Sequence, residues 1–197
     1  MLCIMKKLMT ILLLPVFISC NHPHYPNPHV VIETQLGDIE LELYPAKAPR
    51  TVAAFLSLVK AGIYDNSSFY RVIKADEMPS DFNTGLIQGG IWKTAAQKSN
   101  NIPGIVHEST KQTGLSHIDG IISMARSDTG TAKSEFFICI GDQSPLDFGK
   151  NGTPDGQGYA AFGKVFSGMD IVKKIQAKKS HGDSFDDKIE IKKISLH

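Results

Sequence analysis

Cysteine is scarce, tryptophan nearly missing and net charge almost nil in this chain of 197 residues, which holds three cysteines, one tryptophan and a formal charge of +1 at pH 7. Cys3 and Cys20 fall in the N-terminal segment, so only Cys139 belongs to the part with folding periodicity, and no intramolecular disulfide can staple it. Inside Phe136-Phe137-Ile138-Cys139-Ile140 that thiol reads as buried and inert, not nucleophilic. A balance of 21 basic and 20 acidic residues supplies no field for nucleic acid. The late lysines, Lys173, Lys174, Lys178, Lys179, Lys192 and Lys193, are spaced like the solvated faces of a helix and an edge strand. Neither a Gly-x-Ser-x-Gly elbow nor a Gly-Lys-Ser/Thr phosphate loop occurs, and His107-Glu108 lacks the second zincin histidine because position 111 is Lys111. No nucleophile, nucleotide, metal or other cofactor is therefore expected.

The one long apolar run lies at the N-terminus. Met5-Lys6-Lys7 gives a positive start, and Leu8 to Ile18 is apolar apart from Thr10 and Pro15, too short for a permanent membrane span. Residues 1–19 thus read as an export signal; Met5 offers a second start. Ser19-Cys20 resembles the lipobox of bacterial lipoproteins, in which the cysteine is acylated and becomes the mature N-terminus. Phe17 stands where leucine is usual, and an ordinary cleaved signal with an incidental cysteine is the alternative. Residues 20–29, with Pro23, Pro26 and Pro28, suit an extended tether, whose His22, His24 and His29 have no preformed geometry for a metal. The expectation is a lipid-anchored protein of a bacterial cell envelope, its domain in an aqueous compartment such as the periplasm.

Residues 30–197 are enough for one domain that buries roughly 70% of its unfolded surface. Alternating strands Val30–Thr34 and Ile39–Leu43 flank a Gly37-Asp38 turn. A helix follows, with Pro49 in its first turn, Val52, Phe55, Leu56 and Val59 on one face, and Gly62 as its stop. Further strands are predicted at Phe69–Ile73, Leu86–Gln88, Ile121–Ala125, Glu135–Ile140, Ala160–Val165 and Ile189–Ile194, with a second helix starting at Ser167-Gly168-Met169-Asp170. Many strands and two helices predict a mainly β, closed antiparallel barrel. Strict alternation puts Arg71 on a face with Phe69 and Ile73, opposite Tyr70 and Val72, and it pairs Leu86 with Gln88 and Glu135 with Phe137. An arginine among apolar strand residues must find solvent or a partner.

The blocks Phe69-Tyr70-Arg71-Val72-Ile73, Leu86-Ile87-Gln88-Gly89-Gly90, Ser123-Met124-Ala125-Arg126 and Ser134-Glu135-Phe136-Phe137-Ile138 occur in that order. Together they resemble the cyclophilin family of peptidyl-prolyl cis-trans isomerases, over about Val30 to Ser195. The resemblance implies an eight-stranded barrel capped by two helices, a substrate groove on its outer face, proline-containing polypeptides as partners, and a monomer. It places Arg71 and Gln88 at catalytic positions, and Leu86, Phe137 and Leu146 around the proline ring. Ala125, Arg126 and Ser127 fall beside the substrate chain, and Tyr159 where eukaryotic members have a pocket histidine. Taken alone, Phe137 reads first as core packing, whereas Arg126 reads equally as a solvated loop residue and Tyr159 equally as barrel-edge packing.

Three departures bear on activity. Gly85 stands where the family has a pocket phenylalanine, and residues 74–84 form a stretched link whose Phe82 either folds back to supply the missing wall or leaves a shallower pocket. Pro145 replaces the tryptophan that in eukaryotic members helps bind cyclosporin, and the only tryptophan, Trp92, lies elsewhere in the chain. Glu135 replaces glutamine beside the substrate; it is predicted to draw Arg71 into an ion pair that competes with the proline nitrogen and weakens turnover. The rival reading is a weakly catalytic or non-catalytic chaperone or assembly module that binds proline-containing segments on the same fold.

Overall fold

Side-chain alternation sorts the strands' two faces into two separate apolar clusters. In β6 (Phe136–Ile140) the side chains of Phe136, Ile138 and Ile140 enter the main core, while Phe137 and Cys139 join a smaller cluster outside it. Likewise Ile87 of β4 (Gly85–Gly90) is internal and Leu86 external. The computed structural model describes residues 25–74 and 84–197; the lipidation candidate Cys20 and the pocket candidate Phe82 lie outside the described residues.

The main core fills a closed barrel. Its remaining strands are β1 (His29–Thr34), β2 (Gly37–Leu43), β3 (Ser67–Lys74), β5 (Ile121–Met124), β7 (Ala160–Ser167) and β9 (Ser184–Leu196). All pairings are antiparallel, in the order β1-β2-β7-β5-β6-β4-β3-β9, and β1 returns to β9 to close the ring. Closure leaves no open edge among these eight strands. The two-residue β8 (Ser180–His181) pairs with β9 as a short flap outside the ring.

Helix α1 (Pro49–Lys60) caps one side with Val52, Phe55 and Val59, matching the predicted face, and α4 (Met169–Gln176) contributes Val172 and Ile175. Phe55 packs edge-on to Phe136 with centroids 5.9 Å apart, inside an aromatic centre that includes Tyr64 and Phe162. Two short helices, α2 (Ala96–Asn101) and α3 (Thr110–Thr113), were not expected: AQKSNN and TKQT carry no apolar face, and α3 is held by a capping box between Ser109 and Gln112.

Of the irregularities in the ladders, the one in β3 shapes the cavity. Phe69 pairs with Gly89 and Arg71 with Gln88, so Tyr70 is an extra residue in β3, a one-residue bulge. The bulge turns Phe69 and Val72 both inward, at 0% and 1% exposure, and leaves Tyr70, Arg71 and Ile73 on the outer side. The expected grouping of Arg71 with Phe69, and of Tyr70 with Val72, is thereby corrected.

Candidate active site

The outer cluster of β4, β5 and β6 floors a cavity of about 770 Å³. Leu86, Phe137, Leu146 and Tyr159 form its apolar end, and Arg71 and Gln88 stand at its side. Ala125, Arg126, Ser127 and Glu135 also line it, so every described site residue expected from the sequence borders one space. Trp92, although distant in sequence from the position of Pro145, reaches the rim of the same cavity.

Phe137 is 2% exposed, yet it belongs to the outer cluster and not to the barrel core. Tyr159 meets it edge-on at 5.2 Å, and Leu146 comes from a short 3-10 turn, Ser144–Leu146, whose carbonyl accepts the Tyr159 amide at 3.1 Å. Beneath Phe137 lies His117, which belongs to no motif in the sequence. Its ring stacks on Phe137 at 5.8 Å and is buried between Asp147, 2.6 Å from Nδ1, and Ser123, 3.0 Å from Nε2. Burial holds the imidazole below its ordinary pKa, against the upward pull of Asp147.

No aromatic side chain can occupy position 85 on this backbone. Gly85 has φ +134°, and a Cβ there would meet the Ile73 carbonyl oxygen at 2.1 Å. That end of the cavity is bordered instead by Ile73, which is 39% exposed.

The guanidinium of Arg71 is held from two sides. Nε donates to Asp183 Oδ2 at 2.7 Å, and Nη1 donates to Gln88 Oε1 at 3.1 Å. Nη2 has no protein acceptor among the described residues, and the side chain is 40% exposed toward the cavity. The expected ion pair with Glu135 does not form. Glu135 lies just before β6 and accepts from Tyr70 Oη at 2.6 Å, from the amides of Ile91 and Trp92, each at 2.9 Å, and from Ser134 Oγ at 3.0 Å. Because the bulge brings Tyr70 to the outer side, its hydroxyl stands between Glu135 and Gln88 and takes the contact expected of Arg71. Burial pushes the Glu135 carboxyl above its ordinary pKa, with these four hydrogen bonds opposing.

Arg126 is also committed. Its side chain is 2% exposed, forms a two-pronged pair with Asp155 at 2.8 Å and 2.8 Å, and donates to the Gly158 carbonyl. The guanidinium lies 5.4 Å from the Tyr159 ring centre. It therefore steadies the wall of the pocket through Tyr159 and keeps few donors for a substrate, unlike both a solvated arginine and a direct substrate contact. No group of three His, Cys, Asp or Glu side chains suited to a metal occurs among the described residues.

Sequence comparison matches residues 29–196 to the family described as cyclophilin type peptidyl-prolyl cis-trans isomerase/CLD. The chain is 38% identical over 152 residues to peptidyl-prolyl cis-trans isomerase cyp18 of Streptomyces antibioticus, covering 77% of this chain and 84% of that one. It is 38% identical over 169 residues to isomerase cypE of Dictyostelium discoideum, covering 85% and 97%. A crystal structure of a cyclophilin type peptidyl-prolyl cis-trans isomerase from Cryptosporidium parvum, determined in the presence of the dipeptide Ala-Pro, superposes with a TM-score of 0.66 at 25% identity, covering 86% of this chain and 98% of that one.

Proposed function

The chain belongs to the cyclophilin-type peptidyl-prolyl cis-trans isomerases and is such an isomerase, and we propose that Arg71 is its catalytic donor and that its clients are exported polypeptides. The amide bond dictates the mechanism. Its partial double-bond character sets a rotation barrier of ~18–20 kcal/mol, so an unaided X–Pro bond turns over in tens to hundreds of seconds. At the twisted midpoint conjugation is lost, and the proline nitrogen gains a localised lone pair that a hydrogen-bond donor can engage. A donor placed there binds the transition state better than either planar state, which lowers the barrier.

Arg71 supplies such a donor in a suitable setting. Asp183 and Gln88 occupy Nε and one Nη1 hydrogen, which leaves Nη2 to face the substrate. The proline ring would rest against Phe137, Leu86 and Leu146, with Tyr159 as side wall and Ala125 and Ser127 along the rim. The observation that carries this reading is the doubly anchored guanidinium beside an apolar pocket. The purely binding alternative rests on Glu135 and on the missing pocket phenylalanine; Arg71 pairs with Asp183 and not with Glu135, while Gly85 leaves that wall without an aromatic ring. A protease-coupled assay on proline peptides with wild type and Arg71→Ala tests the assignment.

The export reading rests on the sequence of residues 1–20: the positive start at Lys6-Lys7, the apolar run Leu8 to Ile18, and Ser19-Cys20.

A further inference from the structure

We infer that Glu135 is a positioning residue that fixes the direction of the Gln88 amide, through the single hydrogen of Tyr70, so that an oxygen and not an amide nitrogen meets Arg71. The inference rests on the assignment of Arg71 as catalytic donor and concerns how that donor is held.

Hydrogen-bond polarity carries it. Arg71 can only donate, so whatever Gln88 turns toward it must accept. Gln88 has one accepting end and one donating end, and a flip of its amide would set Nε2 against Nη1, donor to donor. Between Gln88 and Glu135 stands Tyr70, whose hydroxyl has one hydrogen. The carboxylate of Glu135 takes that hydrogen at 2.6 Å, so the Tyr70 oxygen is left to accept, and it accepts from Gln88 Nε2 at 2.9 Å. Gln88 Oε1 is then directed to Arg71 Nη1 at 3.1 Å. Each bond in the series follows from the one before, and the series starts at a group that accepts only.

Glu135 is itself held so that it cannot turn away. Its other oxygen is fixed by the amides of Ile91 and Trp92. Gly90 makes the room: a Cβ at that position would meet the Glu135 carboxylate at 2.5 to 2.6 Å. The second glycine of Gln88-Gly89-Gly90 and the carboxylate are thus two parts of one arrangement.

Glutamine at position 135 would break the series without breaking the fold. The backbone amides of Ile91 and Trp92 would keep its oxygen, which turns its NH₂ toward Tyr70. Two donors would then compete for the Tyr70 oxygen while its hydrogen, released, would seek Gln88 Oε1. The Gln88 amide would lose its fixed direction, and Arg71 would lose an acceptor.

The test is steady-state isomerisation by the full chain in mild detergent, for wild type, Glu135→Gln, Tyr70→Phe, the double variant and Arg71→Ala. A misplaced donor costs rate, so Glu135→Gln is expected to lower kcat about tenfold while KM changes less than about twofold. Thermal unfolding should stay near wild type, and the Gln88 side-chain amide resonances should shift in an NMR spectrum. Tyr70→Phe should act similarly, and the double variant should be no worse than the poorer single one, since both remove the same orientation. Tyr70→Phe leaves the Ile91 and Trp92 bonds intact, so it decides the matter if Glu135→Gln folds poorly. Wild-type or higher kcat in both single variants, with Arg71→Ala inactive, would overturn the inference alone. Activity retained by Arg71→Ala would overturn the assignment of Arg71 beneath it.

Discussion

Arg71 Nε donates to Asp183 Oδ2 at 2.7 Å, joining residues that stand 112 positions apart. Asp183 follows Gly182 in the turn between β8 and β9, and its carbonyl accepts the amide of Val72 at 2.9 Å, so backbone and side chain both dock on β3. The hydrogen bond from Arg71, then its charge, hold the Asp183 carboxyl below its ordinary pKa. Both side chains are substantially exposed, at 40% and 58%, so solvent screens the pair and its contribution to stability is at most ~1 kcal/mol. Its consequence is orientation. Asp183→Ala is expected to keep Tm nearly unchanged and to lower kcat/KM by roughly tenfold; unaltered kcat/KM would show that Gln88 alone suffices to aim Arg71.

Under Phe137, the His117 ring has a defined tautomer. Asp147 accepts from Nδ1, which leaves Nε2 to accept from the Ser123 hydroxyl. Burial lowers the folded-state pKa below the ordinary 6.5, so between that lowered value and 6.5 the unfolded chain binds more protons than the folded one. Stability from this group is therefore present above pH 6.5 and is lost as pH falls below it. A Tm series from pH 7.5 down to 5 should decline more steeply for wild type than for His117→Gln, which cannot titrate. Parallel curves would assign the acid sensitivity to other groups.

Arg126 braces Tyr159 and the segment around Asp155 from a nearly buried position. Arg126→Ala leaves the carbonyl of buried Gly158 without its donor, which should cost ~1–3 kcal/mol of stability, while the exposed Asp155 carboxylate keeps Thr129 and the Gln157 amide. It should also raise KM for proline peptides more than it lowers kcat, because the pocket wall loosens while Arg71 stays in place. Calorimetry together with Michaelis curves reads both effects; a kcat loss with unchanged KM would point to a direct part in the reaction.

The barrel was legible because strand signals are local: Val30–Thr34 and Ile39–Leu43 alternate on either side of the Gly37-Asp38 turn without reference to any other segment. Arg71, Gln88 and Phe137 stood out for the same reason, as residue types unusual within apolar strands or as members of a motif. The partners of Arg71 were not legible. A one-residue bulge carries no strong local signature in Phe69-Tyr70-Arg71, yet it decides that Tyr70 and not Arg71 meets Glu135. Asp183 lies in an ordinary polar turn whose approach to β3 is set by the closure of the ring. His117 offered only a lone histidine in the mixed run Leu115-Ser116-His117-Ile118-Asp119, and its bonds to Ser123 and Asp147 appear once β5 and the turn before Asp147 are packed together.

The location rests on residues ahead of the barrel. Cys20→Ser is expected to release the protein from the membrane fraction or to leave an unprocessed precursor, whereas wild type should require detergent for extraction. Wild-type protein recovered in the aqueous fraction without detergent would contradict the lipid anchor while leaving the isomerase untouched.

The proposed role of Arg71 is to stabilise the twisted X–Pro amide through Nη2, which has no protein acceptor among the described residues. Its most direct measurement is kcat/KM for cis-to-trans conversion of a proline tetrapeptide, followed by protease coupling, for wild type and Arg71→Ala, with the fold of each checked by circular dichroism. Loss of a charged donor made only at the transition state should reduce kcat/KM on the order of 10²-fold or more, with the barrel intact. An intact Arg71→Ala variant that turns over within a few-fold of wild type would contradict the account.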